Sequence, residues 1–298
     1  MTGRVDKVSI VIPAFNEGEN LVDTIQFIRE NTAHPEFEVL VVDDGSTDGT
    51  GDRLSRVFDH DERVGMVRTE GLGAGQARSF GAMHASGEIL VFLDAHCYVP
   101  PHWIDGLIQA LADARIGMVG PAIATISRGR DARGLGMTLL DARLDVDWLG
   151  QYKNAPYPVP LLSGACQVVR KAELEQLGYY DKGMTRYGHE DLELCLRYWL
   201  MGYEVLVQPQ SVVYHLFRDC RPYEIKAQEV IYNRLRMATL HLSNERVDRV
   251  VSCYSNAPGF DEIMAWLEQS DAMSRRSQLA DLRSRDDDWF CTRFGCPI

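Results

Sequence analysis

The stretch Ile89-Leu-Val-Phe-Leu-Asp-Ala-His96 decides the fold, because here the most apolar run of the chain ends in a carboxylate and an imidazole. Its first five residues form a short continuous apolar run, which is typical of a strand buried on both faces of a parallel sheet. Similar runs occur upstream at Val8–Ile12 and Glu38–Val42, and segments with helical spacing lie between them. This alternation predicts an α/β fold with a mostly parallel sheet flanked by helices.

The remaining segments complete the predicted organisation. The further predicted elements, in chain order, are a helix over 18–30 that Asn20 caps, a helix over 49–58, a strand over 64–67, helices over 75–85 and 101–113, strands over 117–126 and 167–169, a helix over 189–201 and a strand over 205–214. Residues 127–160 mix charge, glycine and three prolines, which predicts a long, partly mobile loop. Only helical, charged segments follow Tyr223, so we expect a domain over 5–220 and an α-helical C-terminal extension over 221–298.

Composition and charge exclude several classes of protein. The 298 residues carry 31 Lys and Arg against 43 Asp and Glu, and this net charge of −12 disfavours binding to nucleic-acid phosphates. The hydrophobic fraction of 45% suffices for a sizeable core, yet no apolar run reaches the roughly 18 residues of a transmembrane segment. A short polar start without a signal peptide and seven cysteines without paired spacing predict a cytoplasmic protein with reduced thiols. A disulfide or metal role for Cys291 and Cys296 stays open.

Polar residues follow three of the predicted strands: Pro13–Glu17 the first, Asp43–Thr50 the second and Asp94–His96 the fourth. In an open parallel sheet, ligands bind beyond the carboxyl ends of the strands. The two-residue spacing directs Asp94 and His96 to the same side, where they could form half of a site for a cation such as Mn²⁺. The alternative is that Asp94 caps the next element and that His96 is incidental.

A glycine-rich stretch, Glu70-Gly-Leu-Gly-Ala-Gly-Gln-Ala-Arg78, opens the helix before the fourth strand. Backbone N–H groups at a helix start and the cation of Arg78 favour an anionic ligand. The stretch is not the dinucleotide fingerprint, which would follow the first strand, and it lacks the Gly-Lys-Ser/Thr of a phosphate-binding loop. By itself this glycine pattern is a weak indication of a ligand site.

Taken together, the motifs resemble the ordered motifs of family-2 nucleotide-sugar glycosyltransferases. The residues that carry this resemblance are Val8–Glu17, Val41–Thr50, Phe92–His96 and Gly188–Glu193. The sequence is more similar still to the catalytic domain of polypeptide N-acetylgalactosaminyltransferases, through Glu70–Leu72, Phe92–His96, Tyr180–Met184 and Val213–Arg218. The resemblance implies a GT-A type nucleotide-binding fold, a UDP-sugar donor and a Mn²⁺ or Mg²⁺ cofactor.

The same resemblance implies roles for single residues. The implied metal ligands are Asp94, His96 and His215, and the implied nucleotide-sugar contacts are Pro13, Glu17, Asp44, Gly71, Arg78, Asp94 and Arg218. Asp44 lies where the family has a carboxylate near the base and ribose, and Arg218 lies where it has an arginine on the diphosphate. For Glu17 the alternatives are an approach to the ribose and a cap of the helix over 18–30.

Glu190 and Asp191 are the predicted catalytic pair, with Asp191 as the base of an inverting transfer. A carboxylate within hydrogen-bond reach suffices to take the acceptor proton. Asp191 lies in the first turn of a predicted helix, where the helix dipole favours an ionised group of low pKa. Simple charge capping is the alternative. Retention also stays open, because the polypeptide transferases, which retain configuration, have Trp-Gly-Gly-Glu-Asn where this chain has Tyr187–Asp191.

The sequence therefore predicts a metal-dependent enzyme that moves a hexose or an N-acetylhexosamine from a UDP-sugar to a nucleophilic acceptor. The acceptor is a peptide, a glycan or a small metabolite, and the oligomeric state is open. The alternatives are a retaining N-acetylgalactosaminyltransferase-like enzyme and a sugar-nucleotide-binding protein without transfer activity. The loop over 127–160 is expected to close over the bound donor as a lid.

Overall fold

The computed structural model describes residues 6–126, 133–218 and 222–298. In these ranges the strands are β1 (Val8–Ala14), β2 (Phe37–Asp43), β3 (Val64–Arg68), β4 (Ile89–Leu93), β5 (Cys97–Tyr98), β6 (Ile116–Thr125), β7 (Arg133–Gly134), β8 (Met137–Leu139), β9 (Val146–Trp148), β10 (Tyr157–Pro158), β11 (Cys166–Arg170) and β12 (Glu204–His215). The helices are α1 (Glu19–Asn31), α2 (Thr50–Phe58), α3 (Ala74–His84), α4 (Asp105–Ala110), α5 (Lys171–Leu177), α6 (Glu190–Leu200), α7 (Ala227–His241), α8 (Asn244–Tyr254), α9 (Phe260–Gln269), α10 (Ala272–Leu282) and α11 (Asp287–Phe294).

The main sheet has the strand order β10-β12-β6-β11-β4-β1-β2-β3, with β5 paired to β12 and β7 paired to β6. Strand β1 runs parallel to β2 and β4, β2 runs parallel to β3, and β6 runs parallel to β12. Only β11 is antiparallel to both of its neighbours in the central path, β4 and β6. The predicted mostly parallel α/β sheet is thus confirmed. Because two reversals cancel, the carboxyl ends of β1, β2, β4 and β12 meet at the same edge.

The apolar runs become central strands because both faces of the sheet are covered. Every residue of β4 is buried, and so is every residue of β1 except Pro13. One apolar cluster joins the sheet to α1, α2 and α4, through residues that include Leu21, Ile25, Leu54 and Trp103. A larger cluster joins the opposite face to α3, α6 and the C-terminal helices. This two-sided burial explains the continuous apolar pattern of the predicted strands.

Two predicted helix boundaries are wrong. The chain enters α1 through Gly18, whose φ is 53°, so Asn20 lies inside the helix and does not cap it. The helix predicted over 101–113 is limited to Asp105–Ala110. His102 has a φ of 61°, which interrupts a right-handed helix at that residue.

The prediction of a mobile loop over 127–160 is also wrong for residues 133–160, because this stretch contains strands β7 to β10. In β8, Met137 and Leu139 are buried and Thr138 between them is partly exposed, as the two-residue period of a strand requires. Strand β10 adds itself to the edge of the main sheet by pairing with β12. Residues 127–132, the rest of the predicted lid, lie outside the described part of the chain.

The helical character predicted after residue 223 is confirmed by α7 to α11. Helix α7 contacts α6, α8, α9 and α10, and its Tyr232 and Leu235 belong to the same apolar cluster as Leu192 and Leu196 of α6. The C-terminal helices therefore pack directly behind α6. The division of the chain at residue 220 stays a prediction. No helix in the described ranges combines the length and apolar character needed to cross a membrane.

Candidate active site

A cavity of about 350 Å³ lies beyond the carboxyl ends of β1, β2 and β4. Its lining contains predicted site residues from four separate motifs: Pro13, Glu17, Asp44, Gly71, Arg78, Asp94 and His96. The start of α6 contributes Glu190, and residues between Tyr223 and Val230, from the segment before α7 and its first turn, complete the lining. The fold therefore brings these residues to the edge of the sheet where ligands bind in this class of fold.

His215 reaches this edge from the far end of the sheet. Its strand, β12, pairs antiparallel with the two-residue strand β5, and in this register His215 lies opposite Cys97. The imidazole rings of His96 and His215 are consequently 4.7 Å apart between centroids. One ligand atom each from Asp94, His96 and His215 lies within 4.8 Å of the other two. A carboxylate with two imidazoles is a donor set that suits a divalent cation such as Mn²⁺.

Asp94 is ionised, as a metal ligand must be. Burial alone would raise the pKa of this carboxyl group. The His215 imidazole, 3.4 Å away, and the Arg78 guanidinium outweigh burial and hold the pKa well below its ordinary value. Asp94 therefore presents a negative charge to the cavity across the physiological pH range.

Arg78 links Asp94, a predicted metal ligand, to Glu190 at the start of α6. Its side chain is 4% exposed; Nη2 donates to Asp94 Oδ1 at 2.8 Å and Nη1 donates to Glu190 Oε1 at 3.0 Å. Nη2 also donates to the Gly164 carbonyl at 3.1 Å. The guanidinium of this predicted donor contact is thus bound to two carboxylates of the protein itself.

Asp191 lies in the first turn of α6, as predicted, but its predicted low pKa is wrong. Burial, followed by the negative charge of Glu190, raises the pKa of Asp191 from 3.8 to about 7. Arg78 and the amides of Gly164 and Leu192 oppose this shift without cancelling it. The helix N-terminus is a weaker influence than desolvation beside a like charge. Asp191 is not among the residues that line the cavity, whereas its neighbour Glu190 is.

Asp44 binds the glycine-rich loop. Its carboxylate accepts hydrogen bonds from the amides of Gly71 at 3.1 Å, Leu72 at 2.7 Å and Gly73 at 2.7 Å, and from the Thr69 hydroxyl at 2.6 Å. The N–H groups that the glycine pattern offered to an anionic ligand are therefore used by a carboxylate of the protein. Asp44 still lines the cavity, at the end of the wall formed by this loop.

Glu17 lies between His96 and Arg218. Glu17 Oε1 is 3.3 Å from His96 Nδ1, and the Arg218 guanidinium donates to Glu17 Oε2. Burial would raise the pKa of Glu17, but His96 and Arg218 lower it below its ordinary value. No side-chain hydrogen bond caps α1, so the alternative of Glu17 as a helix cap is not observed.

Asn233 of α7 shapes the site and was not predicted. It is fully buried; its Nδ2 donates to the Gly188 carbonyl at 2.8 Å and its Oδ1 accepts from the Thr185 amide at 2.7 Å. It thereby fixes the segment that leads into Glu190 and places Arg186 and Tyr187 on the cavity wall. No local sequence signal indicates this role, because Asn233 lies on a helix of the C-terminal region.

Residues 9–178 match the family described as Glycosyl transferase family 2. Polypeptide N-acetylgalactosaminyltransferase 15 of Homo sapiens is 30% identical over 269 residues, which cover 85% of this chain and 41% of that protein. The structure of GalNAc-T7 with UDP, GalNAc and Mn²⁺ has a TM-score of 0.81 at 23% identity, covering 98% of this chain and 57% of that one. A mannosyltransferase from Pyrobaculum calidifontis, in complex with GDP-Man and Mn²⁺, has a TM-score of 0.57 at 20% identity, covering 94% and 75%. The chain spans about half the length of the polypeptide transferases it matches.

Proposed function

Because this chain belongs to glycosyl transferase family 2 and is therefore a glycosyltransferase, we propose that it transfers a hexose or an N-acetylhexosamine from a UDP-sugar to a nucleophilic acceptor. The observation that carries this proposal is the convergence of Asp94, His96 and His215 beside the cavity at the strand ends. The similarity to GalNAc-T7, whose structure contains UDP and Mn²⁺, supports the choice of nucleotide and cation.

The chemistry assigned to this edge is stabilisation of the leaving diphosphate. A divalent cation held by Asp94, His96 and His215 would supply positive charge where negative charge develops on that group. Arg218 is held next to His96 through Glu17, so a guanidinium lies on the same side as the metal ligands. Gly71 and Asp44 form the cavity wall on which we expect the nucleoside to rest.

For the acceptor, we assign Asp191 as the base of an inverting transfer. A base whose pKa lies close to neutral is ionised at the working pH and can still take a proton as the acceptor oxygen attacks. Burial and Glu190 give Asp191 a pKa of about 7, which meets this condition. Glu190 is less suited to this role, because its carboxylate is paired with the Arg78 guanidinium at 3.0 Å, whereas the hydrogen bonds to Asp191 come from the neutral amides of Gly164 and Leu192.

A retaining reaction is the second candidate, favoured by one observation. The cavity is lined by Glu190 and not by Asp191, so the carboxylate assigned as base is not on the wall that an acceptor in the cavity would contact. The identity to polypeptide N-acetylgalactosaminyltransferases supports the same reading.

The test is a screen of UDP-sugars for Mn²⁺-dependent release of UDP by the full chain. We expect turnover of at least one UDP-hexose or UDP-N-acetylhexosamine with Mn²⁺ and none with EDTA. NMR of the transferred sugar then separates the two candidates: inversion of the donor anomer supports Asp191 as base, and retention contradicts it. Release of UDP in EDTA at the full rate would contradict the metal-dependent reaction.

The first variant to measure is Asp94→Ala. Removal of a metal ligand that also binds Arg78 should lower turnover by more than about 100-fold and abolish the Mn²⁺ dependence of UDP binding. Asp59→Ala, an exposed carboxylate beyond the end of α2, is the matched control and should behave as wild type. Unchanged donor turnover in Asp94→Ala would refute the assignment of the metal site.

A further inference from the structure

The carboxylate of Glu17 contacts two functional groups of the site at once. Glu17 follows β1 in the chain, lines the cavity and is 8% exposed. Each of its two carboxylate oxygens has a different partner. Oε1 lies 3.3 Å from Nδ1 of His96, and Oε2 accepts from Nη2 of Arg218. These two partners come from β4's end and from the chain after β12, which are far apart in sequence.

A purely structural role does not account for this arrangement. At the start of α1, the Glu17 backbone carbonyl accepts a hydrogen bond from the Asn20 amide at 3.1 Å. The Glu17 side chain does not cap the helix. A buried carboxylate is costly unless it is paired. Here both partners are groups of the proposed site rather than groups of the core.

Both partners keep nitrogen atoms that Glu17 does not contact. With Nδ1 of His96 next to Glu17, the other ring nitrogen, Nε2, is left for the cation. Metal-binding imidazoles commonly use one nitrogen for the metal while a carboxylate holds the other, which fixes the ring orientation. Nε of Arg218 is buried and, among the described residues, has no hydrogen-bond partner. Arg218 thus keeps donor capacity although Glu17 holds one end of its guanidinium.

We propose that Glu17 is a positioning residue that couples the cation site to the diphosphate site, by orienting His96 with one oxygen and Arg218 with the other. The proposal rests on the function proposed above, because it needs a cation and a UDP-sugar in the same cavity. It replaces the ribose contact predicted for Glu17. Its consequence is that one carboxylate affects both Mn²⁺ affinity, through His96, and UDP affinity, through Arg218.

The experiment measures binding as well as activity. Mn²⁺ is titrated into the full chain without nucleotide, and UDP is titrated with and without Mn²⁺, for wild type, Glu17→Gln and Arg218→Gln. Glu17→Gln keeps the size of the side chain and removes its charge. Loss of a carboxylate behind a metal-binding imidazole typically costs 10- to 100-fold in metal affinity, and we expect a loss in that range for Glu17→Gln without nucleotide.

Arg218→Gln separates the two functions of Glu17. It should leave Mn²⁺ affinity near the wild-type value and weaken UDP binding. The double variant Glu17→Gln, Arg218→Gln should bind UDP in EDTA no more weakly than Arg218→Gln alone, because the two residues act as one unit on the diphosphate. Full additivity of the two losses would overturn the proposal.

The matched control is Glu19→Gln, which removes an exposed carboxylate two residues along the chain that pairs with Arg53. It should change neither affinity. If wild type binds neither Mn²⁺ nor UDP, the proposed function fails. If wild type binds both and Glu17→Gln binds both equally well, only the role of Glu17 fails. Should Glu17→Gln not fold, Arg218→Gln still tests the proposal, because a loss of Mn²⁺ affinity in that variant without nucleotide would contradict separate actions of the two oxygens.

Discussion

The pKa values of single carboxyl groups in this site differ because the groups have different neighbours. Asp94 and Asp191 both lie near Arg78, yet the pKa of Asp94 is low and the pKa of Asp191 is raised to about 7. Asp94 has a cationic partner within 3 Å and a histidine beside it, whereas Asp191 has burial and the charge of Glu190. Neighbouring charge and desolvation, not residue type, therefore suit Asp94 to the proposed metal site and Asp191 to the proposed role of base.

This difference predicts a pH dependence for transfer. Asp191 must be ionised to accept a proton, so the rate should fall as the pH is lowered through about 7. Asp191→Asn should lose this acid limb and about 10²- to 10⁴-fold in rate. The measurement is the pH profile of turnover, with Asp113→Asn, a surface carboxylate paired with Arg115, as control. If the rate of Asp191→Asn still fell as the pH was lowered through about 7, the ionisation of another group would be responsible for that fall.

The same carboxyl group has a defined effect on stability. Because its pKa is higher in the folded chain than the ordinary 3.8, the native state holds a proton that the unfolded state has released between these values. Asp191 therefore lowers the free energy of unfolding as the pH rises from about 4 to about 7. Urea unfolding of Asp191→Asn should show a flatter pH dependence over this window than wild type. Identical profiles would mean that the pKa of Asp191 is not raised.

At the level of elements, the glycine-rich loop is held between β2 and the segment before α6. Asp44 binds its amides from one side, and on the other side the Ala74 amide donates to the Arg186 carbonyl at 3.0 Å. Gly73 makes this approach possible, because a Cβ there would lie 2.4 Å from Cα of Arg186. The loop thus connects Asp44 to the segment before α6. Its amides at Gly71, Leu72 and Gly73 are already hydrogen-bonded to Asp44 and are not free to bind phosphate.

Gly73→Ala should separate these two elements. Its φ of 87° and ψ of 166° fall in a region that is essentially restricted to glycine, and the added carbon meets backbone that cannot rotate away. We expect a loss of stability of about 1–3 kcal/mol from strain and weaker UDP binding. Gly49→Ala is the matched control: its φ is 81°, but a Cβ there meets no atom within 4 Å. Equal effects of the two substitutions on UDP binding would contradict a link through Arg186.

At the scale of the whole molecule, buried ion pairs connect α7, the first of the C-terminal helices, to Asp181 and to Glu193 of α6. Arg236 of α7 is fully buried, with Nε 2.5 Å from Asp181 Oδ1 and Nη2 2.7 Å from Asp271 Oδ1. Burial would raise the pKa of Glu193 on α6. Arg197 of the same helix and His241 of α7 outweigh burial and hold this pKa at about 2. The helices of the predicted extension therefore support the helix that carries Glu190 and Asp191.

Arg236→Met tests this attachment. It leaves Asp181 buried without its guanidinium, and breaking a buried pair in this way typically costs about 3–5 kcal/mol. The free energy of unfolding in urea should fall by that amount, whereas Arg115→Met, at an exposed pair with Asp113, should change it far less. A loss for Arg236→Met as small as that of the control would show that the pair does not fasten α7.

Much of the fold was determined by the sequence alone. Continuous apolar runs predicted the central strands, helical spacing predicted α1, α2, α3 and α6, and strand-end residues predicted the edge at which the cavity lies. The two-residue spacing of Asp94 and His96 predicted that they share a side of the sheet, which the ligand distances confirm. These features depend on residues close together in the chain, so a local pattern is enough to indicate them.

Only the tertiary structure decided how these parts act on one another. It placed His215 beside His96 through the pairing of β12 with β5, and it used the glycine-loop amides for Asp44. It also gave residues 133–160 a folded structure and raised the pKa of Asp191. The physical reason is that desolvation, ion pairing and strand addition depend on groups from distant segments. Their strength is set by distances that a linear sequence does not contain.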